Sequence, residues 1–147
     1  MEFLRIGVTS DHNGLALKEK VLAKLSTLGL KAKDYGPFDK DPVDYPDFAK
    51  ALALGIKSGD IDGGIAICGT GLGMAIACNK ISGVRAAPCS NLEFARLARA
   101  HNNANVLCLS GQEIDFGLEL LEIFLKTPFD GGRHQRRIEK IKALESL

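Results

Sequence analysis

The chain has 147 residues, a length that suits one compact domain over 1–147. Hydrophobic residues make up 46% and charged residues 25%, and a net charge of +1 gives no broad basic face for nucleic acid. No apolar stretch approaches the roughly 20 residues of a membrane-spanning helix, which argues against a membrane partner, and the opening MEFLRIGV does not read as a signal peptide.

Strands and helices alternate along the chain. Leu4 to Thr9 reads as a first strand, followed by a loop at Asp11-His12-Asn13-Gly14. Val21, Leu22, Leu25 and Leu28 recur at helical spacing, so Leu15 to Leu28 is a predicted helix, stopped by Gly29. A weak strand fits Leu30 to Tyr35. The Pro-, Gly- and Asp-rich stretch from Gly36 to Pro46 reads as a loop, and Asp47 to Ser58 as a helix. The strongest strand signal is Ile61 to Cys68, apolar on both faces, as a central parallel strand should be. A glycine-rich turn, Gly69 to Gly73, leads into a helix over Met74 to Ile81. Val84 to Pro88 reads as a strand, Leu92 to Ala100 as a helix, Asn105 to Leu109 as a strand and Phe116 to Leu125 as a helix. After Gly131-Gly132 a final helix is expected from Arg133 to Leu147, with Ile138, Ile141 and Leu144 on one side. This order predicts an α/β protein: a three-layer α/β/α sandwich around a five-stranded, mainly parallel, Rossmann-like sheet. In such sheets ligands bind beyond the carboxyl ends of the strands. Chemistry is therefore expected at Ser10-Asp11-His12, Cys68 to Gly73, Cys89-Ser90 and Ser110-Gly111.

The segment Cys68-Gly69-Thr70-Gly71-Leu72-Gly73 is the most informative. Alternating glycines let backbone N–H groups converge, and the helix that follows adds positive partial charge, so the turn suits a phosphate or a reaction oxyanion. It matches neither G-x-G-x-x-G nor a P-loop. The competing reading is a tight strand-to-helix turn that needs glycine for packing alone. Cys68 ends the central strand beside this turn, a setting that suits a thiolate base or nucleophile. Cys78, Cys89 and Cys108 read as buried core residues, Cys89 least firmly because it lies at a strand end. With no C-x-x-C pair and no zinc-finger spacing, the four cysteines point to reduced thiols in the cytoplasm and to no metal centre. Asp11 and His12 read as facing one cleft; the competing reading is an N-cap for the first helix, filled by Asp11 or Asn13. His101 and Asn102 lie at a helix end. Arg133 and Arg137 are one helical turn apart and suit a phosphate; cations at a helix start call for an anionic partner.

Several of these segments occur together in one family. Ser10 to Gly14, Asp44-Tyr45-Pro46, Asp62 to Gly73, Ala77 to Lys80, Gly83 to Ala87, His101-Asn102 with Asn105 to Leu107, and Gly131-Gly132-Arg133-His134 are similar, in order, to the ribose-5-phosphate isomerase B family. Galactose-6-phosphate isomerase subunits and allose-6-phosphate isomerases are relatives. The resemblance implies a sugar-phosphate substrate, no cofactor, and a homodimer or dimer of dimers with shared active sites, the C-terminal helix packing on the partner. It implies isomerisation of an aldose to a ketose, D-ribose 5-phosphate to D-ribulose 5-phosphate foremost, through a cis-enediolate. Cys68 would be the base. Thr70 and the amides of Gly69, Gly71 and Gly73 would hold the oxyanion. Asp11 and His101 would assist ring opening, and Asn102 would bind the enediolate oxygens. His12, Arg133 and Arg137 would clamp the phosphate, with Tyr45 lining the pocket. One departure stands out: many relatives carry an arginine in a Gly-x-Arg segment after the fifth strand, where this chain reads Ser110-Gly111-Gln112-Glu113. The competing functions are an isomerase for a four- or six-carbon sugar phosphate, a non-catalytic sugar-phosphate-binding module, and a flavodoxin-like thiol-redox or nucleotide module. The glycine spacing and the absent C-x-x-C count against the last.

Overall fold

The computed structural model describes residues 1–147. Five strands, β1 (Arg5–Ser10), β2 (Lys31–Asp34), β3 (Gly63–Cys68), β4 (Ala86–Pro88) and β5 (Val106–Ser110), form one sheet in the order β2-β1-β3-β5-β4. Every pairing is parallel, so the expected mainly parallel sheet is wholly so. Six helices connect and cover the strands: α1 (Leu15–Thr27), α2 (Tyr45–Ser58), α3 (Leu72–Cys78), α4 (Leu92–Ala100), α5 (Ile114–Lys126) and α6 (Arg133–Ala143). No helix is long and apolar enough to cross a membrane.

Alternation along β3 builds both layers of the core. Ile65 and Ile67 face Leu17 and Val21 of α1, Ala95 and Ala98 of α4, and Leu121 and Phe124 of α5. Ala66 and Cys68 face Leu52 of α2 and Met74, Ala75 and Cys78 of α3. Every residue of β3 is buried, which is why its sequence is apolar without interruption. The three-layer arrangement is thus the expected one.

Boundaries differ where local chemistry overrides composition. Helix α2 starts at Tyr45, so Pro46 lies in its first turn rather than in the loop; a first-turn residue needs no N–H partner. Helix α3 spans only Leu72–Cys78, because Asn79 leaves it to bind the Ala86 backbone in both directions, at 2.7 and 2.9 Å. Helix α6 ends at Ala143 and a short 3-10 turn follows. Of its expected apolar stripe only Ile138 is buried; Ile141 and Leu144 are 41% and 61% exposed.

The sheet fixes where the functional segments go. β1, β3, β4 and β5 deliver Ser10-Asp11-His12, Cys68 to Gly73, Cys89-Ser90 and Ser110-Gly111 to their common carboxyl end. His101 and Asn102 lie at the other end, between the last residue of α4 and the first of β5.

Candidate active site

At the carboxyl end of the sheet, Cys68 is buried, and its sulfur accepts a hydrogen bond from the Gly71 amide at 3.2 Å. The turn that places this amide depends on Gly71, whose φ of 84° lies in the left-handed region. The backbone of β5 also runs close beneath: a Cβ at Gly71 would stand 3.2 Å from the carbonyl carbons of Cys108 and Leu109. Neighbouring contacts pin the turn. Ser110 Oγ donates to the Gly69 carbonyl at 2.7 Å, and the Gly111 amide donates to the Cys68 carbonyl at 2.8 Å. Thr70 is exposed, its Oγ1 accepting from the Leu72 amide at 3.2 Å. Of the three glycine amides expected to hold an oxyanion, that of Gly71 is turned to the Cys68 sulfur.

The β1 loop stands beside this turn. The Asp11 amide donates to the Ile67 carbonyl at 2.9 Å, tying the loop to the end of β3. Asp11 is buried, and its carboxylate accepts from the Asn13 amide at 2.9 Å. Gly14 is the residue that opens α1, with no side-chain cap, so neither Asp11 nor Asn13 caps that helix. His12 Nδ1 accepts from the Val43 amide at 3.1 Å. An accepting Nδ1 carries no proton, so a neutral His12 holds its proton on Nε2, where it can be donated to a ligand. Tyr45, 39% exposed, lays its ring against Gly73: a Cβ there would be 2.7 Å from the ring carbons. One chain therefore brings together Asp11, His12, Tyr45, Cys68, Thr70 and the glycine turn.

A cleft of about 250 Å³ lies on the far side of the turn, lined by Gly69, Thr70, Cys89, Ser110, Gln112 and Glu113 among others. Gln112 and Glu113 face it where relatives are expected to carry arginine. A larger hollow of about 680 Å³ lies away from Cys68, between the β4 edge and the C-terminal helix, with Arg85, Asn102, Ile141 and Leu144 in its walls.

The remaining expected residues form a separate group. His101 closes α4, its ring stacked on that of His134 at 4.1 Å between centroids and 12° between planes. Asn102, Arg133 and Arg137 are exposed around this pair. Burial, His101 and the Arg133 guanidinium lower the His134 pKa. This group precedes β5, whereas Cys68 is aligned with Ser110 at the end of that strand. At about 3.3 Å per residue, the strand alone separates the two groups by about 13 Å. The fold therefore does not bring His101, Asn102, Arg133 and Arg137 to Cys68 within one chain.

His101, Asp130 and His134 have ligand atoms within 4.8 Å of one another, which is the composition of a metal site. Their geometry suits one poorly, because imidazole lone pairs lie in the ring plane and near-parallel stacked planes do not converge on one ion. The other cysteines are plain core residues. Burial pushes the Cys78 thiol up to about 12 and Cys89 to about 11, and raises Cys108 well above its ordinary range. Two contacts escaped sequence reasoning, the Val43 amide on His12 and the His134 stack, since both join residues more than 30 positions apart.

The chain matches the family described as Ribose/Galactose Isomerase over residues 6–141. It is 41% identical over 145 residues to ribose-5-phosphate isomerase B of Escherichia coli strain K12, covering 96% of each chain. Among solved structures, ribose-5-phosphate isomerase B of Clostridium thermocellum is similar with a TM-score of 0.95 and 44% identity, over 97% of this chain and 98% of that one. The Mycoplasma genitalium ribose-5-phosphate isomerase B structure with bound ribulose-5-phosphate is similar with a TM-score of 0.91 and 46% identity, over 97% of both chains. On this match the chain belongs to the ribose/galactose isomerase family.

Proposed function

We propose that this chain is an aldose–ketose isomerase that converts D-ribose 5-phosphate to D-ribulose 5-phosphate, with residues 1–147 acting as one catalytic domain. The observation that carries the reading is Cys68 at the end of the central strand, inside a glycine turn and beside Asp11, His12 and Tyr45. The Mycoplasma genitalium relative, with ribulose-5-phosphate bound, supports the choice of sugar.

The chemistry needs a base beside a stabilised oxyanion. In the open-chain aldose, the Cys68 thiolate takes the proton from C2. The C–H electron pair becomes the C1–C2 double bond, and the carbonyl pair moves onto O1, giving a cis-enediolate. Thr70 and the amides of Gly69 and Gly73 stand where that oxygen charge develops. Return of the proton to C1, with the O2 proton moving to O1, yields the ketose. Aldose and ketose are isomers, so the proton transfers need no net oxidant or reductant and no redox cofactor is required. One donor in such an oxyanion site contributes about 3–4 kcal/mol. Asp11 and His101 take the ring-opening proton transfers, Asn102 binds the enediolate oxygens, and His12, Arg133 and Arg137 bind the phosphate, whose remote binding energy holds the reacting carbons in place.

The two groups of residues complete one site when they come from two copies of the chain. Isologous dimers place a patch of one subunit against its own counterpart, which makes two equivalent sites. Leu72 and Ile76 on α3, and Ile141 and Leu144 at the C-terminal helix, are exposed apolar residues flanking the two groups and suit this contact. A homodimer, or a dimer of dimers, built with α6 against the partner is the assembly proposed, in the cytoplasm, where the four free thiols stay reduced.

The test is turnover of D-ribose 5-phosphate with no added metal, beside four- and six-carbon aldose phosphates. The reading predicts turnover of ribose 5-phosphate that Cys68→Ala abolishes with the fold intact. Turnover of another sugar phosphate alone would keep the reaction and shift the substrate, implicating the Gln112-Glu113 segment that lacks the expected arginine. Tight binding without turnover would favour a non-catalytic module.

A further inference from the structure

His101 is half exposed at the end of α4, and little holds its ring. Its polar neighbour, Asp130 Oδ2, lies 3.9 Å from Nε2, beyond hydrogen-bond reach. A histidine ring in that state turns broadly about its last torsion. The contact that restricts it is the face of His134, 4.1 Å away and near parallel. His134 is itself well placed to serve as a platform. It is 9% exposed and sits in the first turn of α6, its amide donating to the Gly131 carbonyl at 3.0 Å. The Asp130 amide donates to the Ala100 carbonyl at 2.9 Å, so the turn that carries His134 is fastened to the helix end that carries His101.

We propose that His134 is a positioning residue, whose buried imidazole, stacked on His101, fixes the ring that transfers a proton during sugar ring opening. The proposal rests on the isomerase reading above. A proton-transferring group must meet its partner at hydrogen-bond distance, so a ring that turns freely loses rate without losing affinity. Burial, His101 and the guanidinium groups of Arg133 and Arg137 lower the His134 pKa, against the Asp130 carboxylate, which raises it. A neutral platform can lie against His101 whether or not that ring carries a proton. On the α4 side, the charge acting on His101 is Glu93, which pairs with Arg96 at 2.6 Å.

Two variants separate stacking from mere space filling. His134→Phe keeps a flat aromatic face, and His134→Leu fills the volume without one. Two reactions separate ring opening from enolisation. Ribose 5-phosphate is largely cyclic, whereas ribulose 5-phosphate has its 5-oxygen blocked by phosphate and is open. Exchange of its C1 hydrogen with deuterium from solvent therefore reports the Cys68 step alone. His134→Leu should lower kcat on ribose 5-phosphate by about tenfold or more, with KM little changed, and leave the exchange rate intact. His134→Phe should restore kcat. Equal loss in both reactions, equal failure of Phe and Leu, or no loss at all would overturn the proposal.

An activity-free readout keeps it testable if the isomerase reading fails. The chain has only three histidines, so the His101 ring can be followed by 1H–15N NMR in each variant. The stack predicts a restricted ring in wild type and Phe and an averaged ring in Leu. An unchanged His101 ring in His134→Leu would overturn the positioning role whatever the substrate, whereas absent turnover with the predicted ring behaviour would overturn only the isomerase reading.

Discussion

Gly71→Ala probes the turn on which the proposed chemistry depends. The position has φ 84°, where an L-residue costs about 1–2 kcal/mol. The added methyl would also stand 3.2 Å from two carbonyl carbons and 3.3 Å from the Cys108 oxygen. These are atoms of the β5 backbone, held in the sheet beside β3, so they cannot retreat as a side chain would. Crowding of this kind typically costs about 1–3 kcal/mol, which brings the expected total to about 2–5 kcal/mol. At about 2–4 °C per kcal/mol for a domain of this size, the Tm should fall by about 4–20 °C at fixed protein concentration. Relief of the strain would swing the Gly71 amide away from the Cys68 sulfur, and kcat should fall by about tenfold or more in the folded fraction. Gly69→Ala is the control: a Cβ there meets nothing within 4 Å. It should stay within about 0.5 kcal/mol of wild type. Calorimetry and ribose 5-phosphate turnover on the two variants decide the matter. An unshifted Tm in Gly71→Ala, or an equal fall in Tm in Gly69→Ala, would refute the reasoning.

Other perturbations test other parts of the structure. Arg99 is 2% exposed, lies over Phe3 and Phe124 at 4.6 and 5.7 Å, pairs with Glu2, and donates to the Ala104 carbonyl at 2.6 Å. Arg99→Ala should cost about 3 kcal/mol in urea unfolding, and a loss below about 1 kcal/mol would contradict its structural role. With the Cys78 and Cys89 thiols pushed to about 12 and 11, and Cys108 raised well above its ordinary range by burial, iodoacetamide near neutral pH should leave those three unmodified. Any alkylation should fall on Cys68, placed in the glycine turn at the carboxyl end of the sheet, with loss of turnover; mass mapping of label to Cys78 or Cys108 first would contradict the prediction. The depressed His134 pKa means that the unfolded chain binds the proton more readily, so stability falls as pH drops below the ordinary value of 6.5 and towards the folded one. Thermal unfolding against pH should show this slope in wild type and a weaker one in His134→Phe; identical slopes would exclude His134 as its source.

The central strand was legible because burial on both faces leaves an unmistakable mark: Gly-Gly-Ile-Ala-Ile-Cys has no polar position to interpret. Strand β2, Lys-Ala-Lys-Asp, is mostly exposed at the sheet edge and carries only a faint pattern. The short β4 lost two residues because Val84 and Arg85 are engaged by Ile81 and Asn105 outside the ladder. At the C-terminus the apolar stripe is real, yet Ile141 and Leu144 stay 41% and 61% exposed, so periodicity there describes a surface rather than a core. The glycine turn and Asp11-His12 declared themselves because strand order alone sends them to one edge. The same rule places His101 at the opposite edge, and the separation of the two groups follows from α4 running antiparallel to β5. What spacing cannot show is side-chain geometry between distant segments: the tautomer fixed on His12 by Val43 and the imidazole stack are both of that kind.

Mixing two inactive variants tests the proposed isomerase site most directly. Cys68→Ala lacks the proposed base, and His101→Ala lacks the proposed proton-transfer group from the other end of the sheet. If one site draws Cys68 from one subunit and His101 from its partner, subunits exchanged at equal amounts give about half heterodimers, each with one intact site. Ribose 5-phosphate isomerisation should then recover to about one quarter of wild-type activity, from two preparations that are each inactive alone. A mixture that exchanges subunits and stays inactive would contradict the account, because it would place both residues in a site within one chain or leave one of them without a role.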